Sequence, residues 1–547
     1  MEFNLAVIAG AVADAVPDRD YFVQGSLRLT FRAFMDRAHR LGNALVERGL
    51  GCHTERNDLA GHESGQDHLA LYMYNCSEFL EANVGSFVAR VAPFNVNYRY
   101  VDDELVYLLN DQKTAAIVYH STFAETLERV RHLIPTLRVL LQVDDGSDGD
   151  LLEGAEWYAD ALSAQPTRPP AVSPSPDDLY VLCTGGTTGM PKGVLWRQAD
   201  IFVSALGGMG SRTKKEFGSL EEIVAEAVGR GDRFRNMPTA PFMHGAAQWN
   251  ALTALTHGNR CVIASSKRSL DPVEIWNVVE RERVTMLQIV GDAFARPLLD
   301  ELDRGQFDLS DLKIIMNGGA VLSAGAKQRL VDHLPNVTVG DGLGTSEAGS
   351  TGTSMSTSRG VSTSVFDLSP NVRVLSADLT HRLAPGSVEL GWMATAGRIP
   401  LGYLGDAAKT ASTFPTIGGI RYVVAGDRAK LLADGRMELH GRDSITINSG
   451  GEKIFAEEVE QAIIAHPAVA DVVVCGRPSE RWGSEVVAIV KLRTNVTVTP
   501  EELLELAGVH LARYKLPKAF VFRDHIQRSP AGKADYRWAK EQALSES

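Results

Sequence analysis

Two short apolar runs, Leu179-Tyr180-Val181-Leu182-Cys183 and Val194-Leu195-Trp196, are joined by Thr184-Gly185-Gly186-Thr187-Thr188-Gly189-Met190-Pro191-Lys192-Gly193. Apolar runs of this length between turn signals read as buried strands, so the unit is strand, loop, strand. The glycines free the backbone for positive φ and close approach to a ligand, the threonine hydroxyls donate, and Lys192 adds a positive charge. That chemistry suits a polyphosphate. It is not a Walker A loop, because Lys192 lies between Pro191 and Gly193, where that pattern requires Gly before the lysine and Ser or Thr after it. Taken alone, the run also reads as a Gly/Thr hairpin that binds nothing.

A chain of 547 residues exceeds what one hydrophobic core usually serves, so at least two domains are expected. A formal net charge of −13 argues against a general nucleic-acid or anionic-membrane surface and leaves room for a local basic pocket. The 5 cysteines, Cys52, Cys76, Cys183, Cys261 and Cys475, form no C-x-x-C pair, which suggests neither a zinc site nor a disulfide framework and fits a reducing cytoplasm. The apolar run 5–16 has Glu2 before it and its first basic residue, Arg19, after it, so it reads as a first amphipathic helix rather than a signal peptide. No window approaches the roughly 18 apolar residues of a membrane span, so any membrane contact is peripheral.

Along the first 175 residues helical and strand signals alternate: helices at 29–48, 78–89 and 102–109, strands at 69–73 and 115–119, as for a sheet covered on both faces. Residues 52–68 hold three histidines without ligand spacing and read as a solvated loop. A proline-rich connector, 165–176, leads into the strand at Leu179. In the charged stretch 211–235, Ser219-Leu220-Glu221-Glu222 has capping-box form, with Ile223, Ala227 and Val228 facing the body. From Gly441 onward the texture is that of a compact α+β module of about 105 residues: helix 456–465, strands 471–475 and 485–492, a helix capped by Thr499-Pro500-Glu501-Glu502, and strand 519–522. The joint between a large domain, 1–441, and a small one, 442–547, falls at Gly441-Arg442-Asp443-Ser444.

A second glycine-rich run, Gly340-Asp341-Gly342-Leu343-Gly344-Thr345-Ser346-Glu347-Ala348-Gly349, follows the short strand 337–339. Glu347 stands where a dinucleotide fingerprint needs its last glycine, so a Rossmann reading fails. Thr188 to Gly193 and this run, taken together, resemble the phosphate-binding and Tyr-Gly-x-Thr-Glu motifs of the adenylate-forming superfamily, which holds acyl-CoA synthetases, luciferases and peptide-synthetase adenylation domains. Asn317-Gly318-Gly319-Ala320 is similar to its Gly-Gly-Ala loop, Pro241-Phe242-Met243-His244 to its Pro-x-x-His motif, and Pro530-Ala531-Gly532-Lys533 to its Pro-x-Gly-Lys motif.

The resemblance implies an α/β fold with a large multi-sheet N-terminal domain, in part β-barrel-like, and a small mobile α+β C-terminal domain. It implies ATP, Mg²⁺ and coenzyme A. Thr184, Gly185, Gly186, Thr187, Thr188, Gly189 and Lys192 then hold phosphates, and Glu347 with Thr188 holds the metal. Gly318, Gly319, Ala320, Asp341, Gly342, Leu343, Gly344 and Ser346 then bind the nucleotide, with Gly318 to Ala320 beside the adenine and the acyl carboxylate. Leu343 replaces the stacking tyrosine and covers adenine by apolar contact alone. Asp427 matches the ribose-binding aspartate, Arg442 the arginine near the joint, His244 the residue beside the acid, Gly451 the glycine that lets a pantetheine arm pass, and Lys533 the lysine at the α-phosphate. Either Asp443 or Ser444 is the pivot.

The expected reaction is ligation of a carboxylic acid to CoA through an acyl-adenylate, with a fatty or bulky, sterol-side-chain-like acid favoured by 95–100 and 244–249. A homodimer is expected. Two alternatives stay open: an adenylating enzyme that loads a carrier protein or is luciferase-like, and a nucleotide-binding sensor without turnover.

Overall fold

The computed structural model describes residues 1–184, 191–265, 269–362, 364–442, 445–449, 452–479, 483–511, 513–528 and 534–545. Two large sheets carry the N-terminal part. In the first, His68–Tyr72 lies between the parallel strands Ala92–Asn95 and Thr114–His120, and the order runs on through Val139–Val143 to Glu156–Trp157. On the other side Ala92–Asn95 pairs with Leu179–Thr184, which returns antiparallel as Lys192–Arg197 and ends at the two-residue strand Gly402–Tyr403. Every residue of His68–Tyr72 and Thr114–His120 is buried, the signature of a parallel sheet covered on both faces. Helix Ser77–Val88 forms part of that cover and helix Phe31–Glu47 packs on its outer side, both where the alternating pattern predicts them.

The second sheet begins as a parallel array in which Asp20–Gln24, Arg260–Ile263, Arg235–Pro238, Met286–Ile289, Ile314–Gly318 and Thr338–Thr345 are successive neighbours. From Gly349–Ser356 onward it turns antiparallel, through Val365–Leu368, Met437–Arg442, Asp427–Leu431 and Gly391–Ala396. This antiparallel end is where the sequence reading expects a β-barrel-like part; among the described residues its strand order is open and runs to Thr416–Ile417.

Three strands outrun the sequence reading. The strand expected at 337–339 continues to Thr345, the strand Ile314–Gly318 takes in Asn317 and Gly318 from the run read as the Gly-Gly-Ala loop, and Lys192 opens its strand instead of closing the loop. Glycine weakens a strand on its own, but Thr338–Thr345 is paired on both edges, and the absence of a side chain at Gly340 admits the sulfurs of Met316 and Met355. In the helix Leu220–Arg230 the Ser219 cap is present and Ile223 and Ala227 are buried, but Val228 is exposed: one residue after Ala227 it points 100° away from the buried stripe.

The small C-terminal domain is built on Val469–Ser479, antiparallel to Gly483–Leu492, which pairs in parallel with Ala519–Phe522. Alternation by two sends Val472 and Val474 to one face, with Val459, Ile463 and Leu503, and Val473 and Cys475 to the other, with Val521 and Ala539. Each such side chain contributes about 1.5–3 kcal/mol by leaving water. Helices Ala456–Ile464 and Pro500–His510 cover the first face and Tyr536–Leu544 the second. The Thr499 to Glu502 capping box forms as read. Arg296 of the large domain donates to the Val469 carbonyl at 3.3 Å.

Candidate active site

Thr184 and Lys192 face each other in register at the open ends of the hairpin strands. The Lys192 ammonium is ion-paired with Asp406, whose hydrogen bond holds the lysine's pKa above its ordinary value and the carboxyl below its own. Asp406 also caps the helix Ala407–Thr413, accepting from the Lys409 amide at 2.8 Å. Gly185, Gly186, Thr187, Thr188 and Glu347's expected metal partner among them lie outside the described residues, as does Gly189.

The strand Lys192–Arg197 also positions the turn that carries Glu347. Trp196 Nε1 donates to the Ser346 carbonyl at 2.8 Å, and Tyr403, on the neighbouring two-residue strand, donates its hydroxyl to Glu347 Oε1 at 3.0 Å. The turn closes at Gly349, whose φ of +70° is cheap only for glycine and whose missing Cβ leaves room for the Ser204 hydroxyl. One corner of the first sheet therefore fixes both Lys192 and Glu347.

The Gly-Gly-Ala loop is held from beneath by Asn317. Its Oδ1 accepts from the Gly291 amide at 2.6 Å, and its Nδ2 donates to the Ala320 carbonyl at 3.0 Å and to Asp341 Oδ1 at 2.9 Å. Asp341 Oδ2 pairs with the buried Lys327 at 2.5 Å, and Lys327 also donates to the Ser362 carbonyl. Both oxygens of Asp341 thus have protein partners, and one of them ties the residue to Asn317, its register partner in the neighbouring strand. Leu343 and Gly344 straddle a bulge in that strand, and the half-buried Leu343 side chain packs against the apolar cluster of Val372, Val374, Met393 and Met437.

His244 is the N-cap residue of the helix Gly245–Thr256. Its loop is pinned by two asparagines that the sequence reading did not single out as site residues. Asn75 accepts from the Phe242 amide at 2.6 Å and donates to the Ala240 carbonyl at 3.0 Å. Asn95 donates to the Met243 carbonyl at 2.7 Å and to the Cys183 carbonyl at 2.9 Å, and accepts from the Cys183 amide at 2.9 Å. It therefore couples the His244 loop to the strand Leu179–Thr184. Its signal was a polar residue closing the apolar run Ala92-Pro93-Phe94; Tyr403 and Asp406 carry no such signal.

Asp427 is buried at the start of its strand, in register opposite the Arg442 backbone. Gly451, Lys533, Asp443 and Ser444 lie outside the described residues.

Residues 11–397 match the family model described as AMP-binding enzyme, and residues 458–533 match its C-terminal domain. The chain belongs to the AMP-binding enzyme family. Among relatives of this AMP-binding enzyme is the medium-chain acyl-CoA ligase Mig of Mycobacterium avium, 53% identical over 99% of this chain and 98% of the relative. The 3-oxocholest-4-en-26-oate–CoA ligase of Rhodococcus rhodochrous is 36% identical over 99% of this chain and 96% of the relative. In fold it is similar to the anthranilate CoA ligase AuaEII in complex with anthranoyl-AMP, at a TM-score of 0.83 and 18% identity, covering 100% of this chain and 98% of that one. Within the AMP-binding enzyme the described motifs stand in the expected order, and among the described residues no helix is long and apolar enough to cross a membrane.

Proposed function

We propose that this ATP-dependent, AMP-forming acid–CoA ligase activates a medium-chain, long-chain or bulky sterol-side-chain-like carboxylic acid. The observation that carries this reading is 53% identity to a medium-chain acyl-CoA ligase over essentially both chains; the relatives at 36–38% identity act on fatty and cholestenoate acids by name.

A carboxylate has no competent leaving group, so one of its oxygens attacks the α-phosphate of ATP, the bond to the β-phosphate oxygen breaks, and pyrophosphate leaves. The thiol of CoA then attacks the acyl carbon and AMP departs with the former carboxylate oxygen. Positioning and charge stabilisation do most of the work. Lys192, Thr187 and Thr188 hold the outgoing phosphates and Lys533 the reacting centre. His244 stands on the acid side, Asp427 takes the ribose hydroxyls, and Gly318 to Ala320 line the adenine. The joint after Gly441 lets the small domain exchange Lys533 for the Gly451 loop between steps.

Glu347 fits a hard cation. Tyr403 holds Oε1, and among the described residues no hydrogen bond reaches Oε2, which leaves one carboxylate oxygen for Mg²⁺. When bound, Mg²⁺ supplies neutralising charge to the phosphate oxygens.

The reading is tested by acid-dependent ATP–pyrophosphate exchange and thioester formation over a panel of fatty, aryl and sterol-side-chain acids, with CoA and a holo-carrier protein as alternative acceptors. Lys533→Ala is expected to abolish exchange and to leave thioester formation from supplied acyl-adenylate. Absence of both activities with every acid, in folded protein, sinks it; transfer to the carrier alone reassigns the acceptor.

A further inference from the structure

The described chain on either side of residues 529–533 is held together: Arg528 and Ala534 form an antiparallel bridge, and the Asp535 amide donates to the Gln527 carbonyl at 3.2 Å. Arg528 in turn is fixed to the sheet by a two-pronged contact: Nε donates to Asp471 Oδ2 at 2.8 Å and Nη2 to Asp471 Oδ1 at 2.6 Å. Nη2 also reaches the Val472 carbonyl at 3.1 Å. On the far side, Tyr536 opens the last helix and its hydroxyl lies 3.4 Å from Glu460 Oε1, the oxygen that also accepts from the Val474 amide at 2.8 Å. Asp471 and Val474 belong to one strand, and Glu460 to the helix Ala456–Ile464 packed on it.

A bidentate arginine–carboxylate pair fixes direction as well as distance, which a single hydrogen bond does not. A lysine that must meet a phosphate in flight needs that directional support, because a misplacement of about 1 Å costs roughly a hundredfold in rate. We propose that Asp471 and Glu460 are positioning residues for the adenylation step: they hold Arg528 and Tyr536, which flank the segment 529–533, and through them set where Lys533 stands. The proposal rests on the role given to Lys533 under Proposed function. Neither carboxylate touches substrate in this scheme, and thioester formation, which does not use Lys533, is insensitive to both.

The experiment uses the full chain with Asp471→Asn, Glu460→Gln, Asp471→Glu and Lys533→Ala. Two rates are read in each: ATP–pyrophosphate exchange with a panel acid that the wild-type chain adenylates, and thioester formation from the matching synthetic acyl-adenylate and CoA. Asp471→Asn and Glu460→Gln are expected to lower exchange kcat by about ten- to a hundredfold, with KM for ATP and the thioester rate within about twofold of wild type. Asp471→Glu, which keeps the carboxylate, is expected to recover part of the exchange lost in Asp471→Asn. Thermal melting reports which variants fold, and the ratio of the two rates is read in every one that does. A ratio unchanged in all of them, or a proportional fall of both rates, overturns the proposal. If Lys533→Ala keeps exchange, the assignment of that lysine fails first and the proposal falls with it; if it loses exchange while the carboxylate variants match wild type, the proposal alone is overturned.

Discussion

The Tyr403 hydroxyl donates to Glu347 Oε1 at 3.0 Å, joining a turn of the second sheet to the edge strand of the first. Tyr403 is itself buried and paired with Val194, two residues beyond Lys192. The glutamate read as a metal ligand and the lysine read as a phosphate ligand are thus set by one short strand, Gly402–Tyr403, and by Asp406 just after it.

Tyr403→Phe keeps the ring packing and removes the hydrogen bond to Glu347. A hydrogen bond to a partly exposed carboxylate contributes about 1 kcal/mol, so the Mg²⁺ concentration for half-maximal pyrophosphate exchange is expected to rise roughly fivefold, with melting temperature little changed. An unaltered Mg²⁺ dependence would mean that the hydroxyl does not orient Glu347 for a cation.

Asp406 is ion-paired with Lys192, so a phosphate that binds this lysine competes with the carboxylate. Asp406→Asn keeps a competent helix cap and removes the competing charge. ATP is expected to bind several-fold more tightly to this variant, and Lys192→Ala more weakly, in calorimetric titration with a non-hydrolysable analogue. Weaker binding by Asp406→Asn would show that the carboxylate aids the nucleotide instead of competing with it.

From a buried position Asn95 satisfies three backbone groups, one in the His244 loop and two in the strand Leu179–Thr184. Asn95→Ala leaves them without that partner, at roughly 1–3 kcal/mol for each buried group that water does not reach. Denaturant unfolding is expected to shift by at least ~2 kcal/mol, and KM for the acid to rise more than KM for ATP, since the His244 loop loses its tie. Equal effects on the two KM values would count against a loop-specific role.

Much of the architecture was legible because it rests on local pattern: the buried runs at 69–73 and 115–119, the Ser219 and Thr499 caps, and the strand 519–522 need no distant partner to be recognised. What the pattern hid depends on pairing across the chain. The glycines of 340–344 read as a loop, yet two neighbouring strands hold them extended. Asp341 read as a nucleotide contact, and its two oxygens turn out to be engaged by Asn317 and Lys327. Tyr403 and Asp406 sit in a run with no motif character, and only the return of the chain to the Lys192–Arg197 strand gives them a role.

The carboxyl of Glu460 is pushed up to about 7 from 4.5, chiefly by burial, with Asp471 adding to the rise and the Val474 amide, Arg528 and the Tyr536 hydroxyl opposing it. The Cys475 thiol, on the opposite face of the same strand, is raised chiefly by burial, with the Glu460 charge adding to the rise. In the unfolded chain the carboxyl has released its proton by about pH 5, whereas the folded domain keeps it until about pH 7. Folding therefore takes up a proton in this window, and stability falls as pH rises from about 4.5 to 7, by up to ~3 kcal/mol, and then levels off once both states are ionised. Glu460→Gln has no such term. Denaturant unfolding at pH 5, 6 and 7, read by hydrogen exchange at the Val474 amide, is expected to show the variant gaining on wild type with each step. Parallel curves for the two proteins would mean that Glu460 is ionised in the fold across this range, with its charge met by Arg528.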